Sequence, residues 1–579
     1  MGGDELALQY ASIWRHAGSQ PSGRKPAHGF DRSPGRVLPG WPHIRQVQGR
    51  SASAPDDPVG GPAGPHPATG RPRHAQHAEL AENAGGAQVG PTGSRRGWAA
   101  WAALPREHWL FCAVLLVAAA VRVIVVLGYP PALWFFDSLP YIHAMFPLKP
   151  YRVRPIGYSY FLELLKPFHS VWLVTVVQAV MGLVMGIAVY AVLRRYRIAG
   201  WAATLAAVPV LLSAYELQME HFVLSDTLFA LLVTLAVVLM LWRPVPSVPM
   251  CALVGLILAW ATLDREQGIL LPIAFALYLC AQLARRVPAR KVLASIAALC
   301  VTVALPVLAY ARWFEQVNGS FRLTTSTGAF LYSRVSSFAR CSVIKPPTEE
   351  RWLCISTPPG KRPDATFYAW SATSPINVKP PGGWEFDARA DSLATRFARH
   401  AIEAQPAAYL MAVWDATGEN FQLQRKGSPA WASERQYKFP AATPESLRAV
   451  ARANRELPYY PDAHTFNRGS DPSTRIVRPF AGWIQAYQRF VVLPGPLFGF
   501  IVLAGLAGMA QAWRRFGGPA LLPWLTGAVL IVTPAATTGY GARYLIASIP
   551  AFCIAAAIGL KDIRDWAMAP DPDASAKHA

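Results

Sequence analysis

Apolar residues come in long unbroken runs over most of this chain, separated by short polar stretches. Crossing the hydrocarbon core of a bilayer takes about 20 residues of helix. Ten runs reach or approach that length: Trp109–Leu127, Trp172–Leu193, Trp201–Tyr215, Val223–Leu241, Met250–Leu263, Ile269–Ala284, Val292–Tyr310, Val491–Ala512, Ala520–Ala535 and Tyr544–Leu560, the third and sixth on the short side. The polar residues between them alternate in kind. Arg194, Arg195 and Arg197 follow the second run, Arg243 the fourth, Arg285, Arg286, Arg290 and Lys291 the sixth, Arg514 and Arg515 the eighth, and Lys561 and Arg564 the tenth. Lys and Arg collect on the cytoplasmic side of membrane proteins. The even-numbered exits and both termini are therefore expected in the cytoplasm, and the other loops outside.

Composition agrees and narrows the class. Hydrophobic residues make up 53% and charged residues 15%, against roughly 25% charged in soluble domains. With 20 Trp, 20 Tyr and 26 Phe the chain is too aromatic to be disordered throughout. The net charge of +21 would suggest nucleic acid in a polar chain. In one this apolar it reads as cytoplasmic loop anchors, and no nucleic-acid partner is expected. Residues 1–100 differ: rich in Pro, Gly, Ser and scattered Arg, without apolar period or signal-peptide core, they read as a disordered cytoplasmic tail.

The predicted fold is mainly α, a polytopic membrane bundle of about ten transmembrane helices. A mixed extracytoplasmic domain is inserted between helices seven and eight. The expected division is 1–100 tail, 101–310 helices one to seven, 311–488 inserted domain, 489–562 helices eight to ten and 563–579 cytoplasmic tail. The insertion is too long and too aromatic for a simple connector. In it Cys341 and Cys354 stand thirteen apart in an oxidising compartment, which predicts a disulfide. Cys112, Cys251, Cys280, Cys300 and Cys553 fall in or at the ends of apolar runs and read as small fillers.

Charge that survives against lipid marks chemistry. In the first outer loop Asp137 stands among aromatic neighbours, with Arg154 further on. A carboxyl near apolar surface tends towards a raised pKa and suits a general base; Asp137 or Ser138 also fits the N-cap of a short helix. In the second loop Glu216 and Glu220 share one helical face, with His221 beside them. They could hold a divalent metal, or His221 could be a hydrogen-bonded interface residue. Ser225-Asp226 fits a helix cap. Arg265 and Arg543 lie at outer helix ends, against the positive-inside trend, which suits lipid phosphate; a snorkelling arginine is the plain alternative. Arg122, within the first run, is expected to find its partner inside the bundle.

Taken together these motifs resemble the GT-C glycosyltransferases. They are Arg122, Asp137-Ser138 with Arg154-Pro155-Ile156-Gly157-Tyr158, Glu220-His221 leading to Ser225-Asp226-Thr227-Leu228-Phe229, Arg265-Glu266-Gln267-Gly268, and Ala542-Arg543-Tyr544-Leu545 through Pro550. These polytopic enzymes include protein O-mannosyltransferases and lipid A aminoarabinose transferases, and the long outer loop with its paired Cys looks like actinobacterial members. The resemblance implies transfer from a polyprenyl-phosphate-linked sugar, at the outer face of the cell membrane, to a protein, glycan or lipid acceptor of the cell envelope, with membrane lipids as further partners. It implies catalytic roles for Asp137 and Glu220 and substrate binding by Arg154, Glu216, His221, Arg265, Arg543 and Tyr544. Ser138 stands where members often carry a second acid, and a divalent metal, Mg or Mn, stays open. A lipid or glycan transporter or flippase is the rival reading; it would call for inverted repeats and broken spans with charge at mid-depth.

Overall fold

The structure, a computed structural model, describes residues 93–568 apart from 372, 379, 385, 424–436, 445–446, 448–458 and 513–516. Most of the proposed tail, together with Arg514 and Arg515, lies outside the described residues. Among the described residues the chain is helical and contains no strand; the insertion expected to be mixed is helical too. Two isolated bridges, Leu133 with Phe222 and Met145 with Leu148, are the β-like contacts.

Each of the ten apolar runs falls on helix, because a helix satisfies its own backbone where water is absent. Among the described residues six helices are long and apolar enough to cross a membrane: Glu107–Gly128, Val171–Arg195, Glu266–Arg285, Ala289–Asn318, Gly518–Thr537 and Ala542–Ala567. The third run is a bent pair, Gly200–Leu212 and Ala214–His221, turned by 47°. Asp226–Leu241, Val248–Asp264 and Gly495–Gln511 are shorter. The sixth run is longer than expected because 3₁₀ turns at Glu266–Leu270 and Leu283–Arg285 extend its central helix.

Small residues set the closest crossings. A β-carbon on Gly508 would collide with the Gly559 backbone, so the Gly495–Gln511 and Ala542–Ala567 helices pack main chain to main chain. A β-carbon on Gly157 would collide with the backbone of Leu263 and Asp264, so the helix Gly157–Leu165 seats directly on the end of Val248–Asp264. That contact brings the first loop up to Arg265.

The insertion after Asn318 has two parts. Tyr332, Leu353, Phe386 and Phe397 form a core of their own, joined by Val153 from the first loop. The Cys341–Cys354 disulfide is formed beside it. Further along, Phe439, Tyr459, Phe466 and Ile484 pack into the core of the bundle itself.

Candidate active site

The first loop is pinned before it reaches Asp137. Trp134 Nε1 donates to Pro472 O at 2.9 Å, Thr474 Oγ1 to Ala132 O at 2.6 Å, and Leu133 N to His221 O at 3.0 Å. Ser138 Oγ then accepts from Phe135 N at 3.0 Å and closes the turn. Asp137 takes the N-cap position of the helix Ser138–His143, yet its side chain makes no capping bond. Arg154 Nη2 donates to Asp137 Oδ1 at 3.1 Å and Arg543 Nη1 to Oδ2 at 3.0 Å. Burial alone would raise this carboxyl. The two guanidiniums outweigh burial and hold it at about 2. The raised pKa expected from the aromatic neighbours is thus overturned: Arg154 folds back along the loop onto the acid, and Arg543 reaches it from the far end of the chain. Tyr141, buried and bonded to Ser225 Oγ at 3.0 Å, is pushed the other way, first by burial and then by the Asp137 charge.

The cluster continues without a break. Arg543 Nη1 lies 4.0 Å from Asp226 Oδ2, and Arg265 is ion-paired to Asp226 Oδ1. The Tyr544 ring sits between the two arginines, 5.4 Å from the Arg265 guanidinium and 5.5 Å from that of Arg543. Arg154 lies over Phe330 at 5.1 Å and Arg543 over Phe135 at 4.9 Å. Three guanidiniums thus share two carboxylates between aromatic walls. Asp226 starts one helix, Arg265 follows another and Arg543 lies in the first turn of a third, so the cluster occupies one end of the bundle. Such a surplus of forked, weakly hydrated cations is suited to an oxyanion that develops there.

Asp137, Arg154, Arg265, Arg543 and Tyr544 are thus brought together; Glu220 and His221 find partners elsewhere, and Glu216 lies within electrostatic reach of both Glu220 and Asp226. Ser213 leaves helical geometry with ψ 124°, and this bend frees the carbonyls before it. Arg122 Nη1 donates to Leu211 O at 2.8 Å and the Tyr487 hydroxyl to Leu212 O at 2.5 Å. The second guanidinium nitrogen of Arg122 pairs with Glu220 Oε1 at 2.6 Å. His221 Nε2 is 2.8 Å from Tyr129 O, and Gln178 Nε2 donates to Glu220 O at 2.8 Å and Phe222 O at 2.7 Å. Glu216 is buried as well. The shared helical face was read correctly, but it turns into the bundle rather than towards solvent.

Sequence reasoning underrated Asp226. The Ser225 side chain makes no capping bond, and Asp226 serves as counter-ion to Arg265. An acid and an arginine each at a helix end and on the same predicted side was the available signal. Among the described residues no group of three His, Cys, Asp or Glu side chains is placed to hold a metal ion. The carboxylates of Asp137 and Asp226 face guanidiniums.

No family model and no curated protein matches the chain. Several solved structures are similar at low identity. The oligosaccharyltransferase of Archaeoglobus fulgidus, tethered to an acceptor peptide, is 14% identical with TM-score 0.37, covering 80% of this chain and 50% of its own. ArnT from Cupriavidus metallidurans, bound to undecaprenyl phosphate, is 15% identical with TM-score 0.30, covering 82% and 79%. The S. cerevisiae protein O-mannosyltransferase Pmt1-Pmt2 complex, bound to its sugar donor, is 15% identical with TM-score 0.30, covering 41% and 38%. These neighbours are GT-C glycosyltransferases. The chain spans 38% of the mannosyltransferase and about half of the oligosaccharyltransferase.

Proposed function

We propose that this chain is an integral membrane glycosyltransferase of GT-C type. In this reading ten helices cross the membrane, both termini are cytoplasmic and the Asp137 end faces outward. A sugar passes from a polyprenyl-phosphate donor to an envelope acceptor, with inversion at the sugar carbon. The observation that carries the reading is the linked set Arg154–Asp137–Arg543–Asp226–Arg265 at one end of an apolar bundle.

The chemistry follows from that set. A donor phosphate would take up the positive surplus at Arg265 and Arg543, where charge grows on the leaving lipid phosphate as the glycosidic bond breaks. Binding it would draw Arg543 from Asp137, so the carboxylate would lose one of its two counter-charges when the substrate arrives. Its proton affinity then rises towards that of a useful base, and it accepts the proton of the attacking hydroxyl. Arg154 would keep the carboxylate oriented. No covalent enzyme intermediate is needed, and no step runs through a metal.

The bent span and the buried Arg122–Glu220 pair are features that a transporter would use. Here the carbonyls released by the bend are capped by Arg122 and Tyr487, which favours a fixed bend. One experiment separates the readings. The purified chain, in liposomes containing EDTA, is supplied with radiolabelled polyprenyl-phosphate sugars and acceptor extracts. Release of polyprenyl phosphate with label on an acceptor is expected. Movement of intact donor across the bilayer without cleavage would replace this reading with the transporter.

A further inference from the structure

The insertion reverses its character between two consecutive helices. In Ala388–Ala404 the outward side chains include Arg389, Thr395, Arg396, Arg399 and Glu403, with Phe397 and Ala401 buried beneath them. That is a face made for water. Pro406–Gly418 follows after a single residue, and besides Pro406 and Asp415 its outward side chains are the apolar set Ala407, Leu410, Met411 and Trp414. They recur at i, i+3, i+4 and i+7, one stripe of a helix. Leu410, Met411 and Trp414 are 65%, 66% and 78% exposed, and the helix's one charged residue, Asp415, comes in its last turn.

The surroundings say what covers this stripe. On its inner side the helix is fastened to an apolar span: Tyr409 donates to Ala536 O at 3.1 Å, the end of Gly518–Thr537. Just past its end Phe421 stacks on Phe498 of Gly495–Gln511, with ring centroids 5.6 Å apart. That apolar helix exposes Leu497, Phe500 and Leu503. The stripe is thus flanked by two apolar helices whose own outward residues are aliphatic and aromatic. Exposed apolar side chains gathered in this way, with the one charge at the helix end, belong in lipid.

We propose that Pro406–Gly418 lies within the membrane boundary, its stripe among acyl chains, and that the membrane surface passes at Gln405. The same helix turns Ala416, followed by Asn420, towards a crevice shared with Pro534, Gly539, Tyr540 and Tyr544. It is therefore the wall between lipid and the Tyr544 end of the arginine cluster. The importance of that wall for sugar transfer rests on the function proposed above; the lipid contact does not.

The test uses the full chain with its disulfide intact, in liposomes of phosphatidylethanolamine and phosphatidylglycerol. Nitroxide is placed singly at L410C, M411C or W414C after replacement of the five unpaired cysteines, with L305C as a control inside a span and R399C as a water-facing control. The three stripe positions are expected to match Leu305, reached by oxygen and shielded from a water-soluble nickel complex. In the unsubstituted protein, a lipid carrying a diazirine in its acyl chain should label the 406–418 peptide and spare 388–404. Nickel access equal to that at Arg399 would overturn the proposal, and so would shielding from both reagents with no lipid adduct, which would mean a protein partner. Either failure leaves the transferase assay untouched, and a failed transferase assay leaves this result standing.

Discussion

Arg122–Glu220 and Arg154–Asp137–Arg543 are both arginine–carboxylate contacts of about 3 Å or less in an apolar molecule, and they differ in three physical respects. The first is one cation against one anion, with side chains 4% and 3% exposed. The second sets two cations on one anion, and a third cation is linked to it through Asp226. Around Arg122 one guanidinium nitrogen goes to fixed backbone, Leu211 O and Ala118 O. Around Asp137 the arginines lie against rings instead, and Arg154 keeps 18% of its side chain open. A balanced pair enclosed this far from solvent and tied to backbone carbonyls is not placed to meet a ligand. A cluster with surplus positive charge and an open edge can exchange one of its own contacts for a substrate's.

The largest effect expected from breaking this contrast is on Asp137→Asn. Loss of the base should lower transfer by about 10²–10⁴-fold, read as label passed to acceptor by protein that still purifies as one folded species. Near-full activity would end the assignment. Arg543→Ala comes next, at about 10²–10³-fold for a lost oxyanion donor. It should also change the pH profile. Asp137 sits at about 2 because Arg154 and Arg543 overcome its burial, so in the wild type it stays ionised throughout the ordinary range. The stability it contributes is fully present above its unfolded value of roughly 3.9 and is lost as pH falls through about 2. Without Arg543 burial regains weight and the carboxyl rises. An acid limb should then appear in the pH–rate profile at higher pH than in the wild type.

How far the sequence carried depended on what each residue needed in order to be read. Apolar runs declare helices because the signal is continuous, and Asp137, Arg154 and Arg543 stood out because charge is rare in such surroundings. Their pairing was hidden, since 406 positions separate Arg543 from Asp137 and no local pattern encodes the contact. The depressed pKa of Asp137 was hidden for the same reason. The surroundings of Glu216 and Glu220 were hidden differently. Their spacing placed them on one face, but which way that face turns depends on the bend at Ser213 and on Arg122 and Gln178 reaching in from two other helices.

Glu220→Gln tests the other half of the contrast. It leaves Arg122 charged and buried opposite a neutral amide, which should cost about 3–5 kcal/mol of stability, visible as a lower thermal midpoint in detergent. The rate per folded molecule should hold. If the rate falls while the midpoint stays, Glu220 acts on substrate and the pair is not merely a fastener.

Tyr544→Phe should do the least, and that small size is informative. The ring holds the Arg265 and Arg543 guanidiniums at 5.4 and 5.5 Å, and its hydroxyl makes no hydrogen bond among the described residues. Phenylalanine keeps both aromatic faces, so transfer should stay close to wild type. Tyr544→Ala removes two cation–π contacts worth about 0.5–2 kcal/mol each, and should weaken donor binding by raising KM more than it lowers kcat, because both arginines remain but lose the surface that spaces them. A large loss with phenylalanine would instead give the hydroxyl a direct part in the reaction. Tyr544 would then join Asp137 as a group that meets substrate rather than one that holds the cations apart.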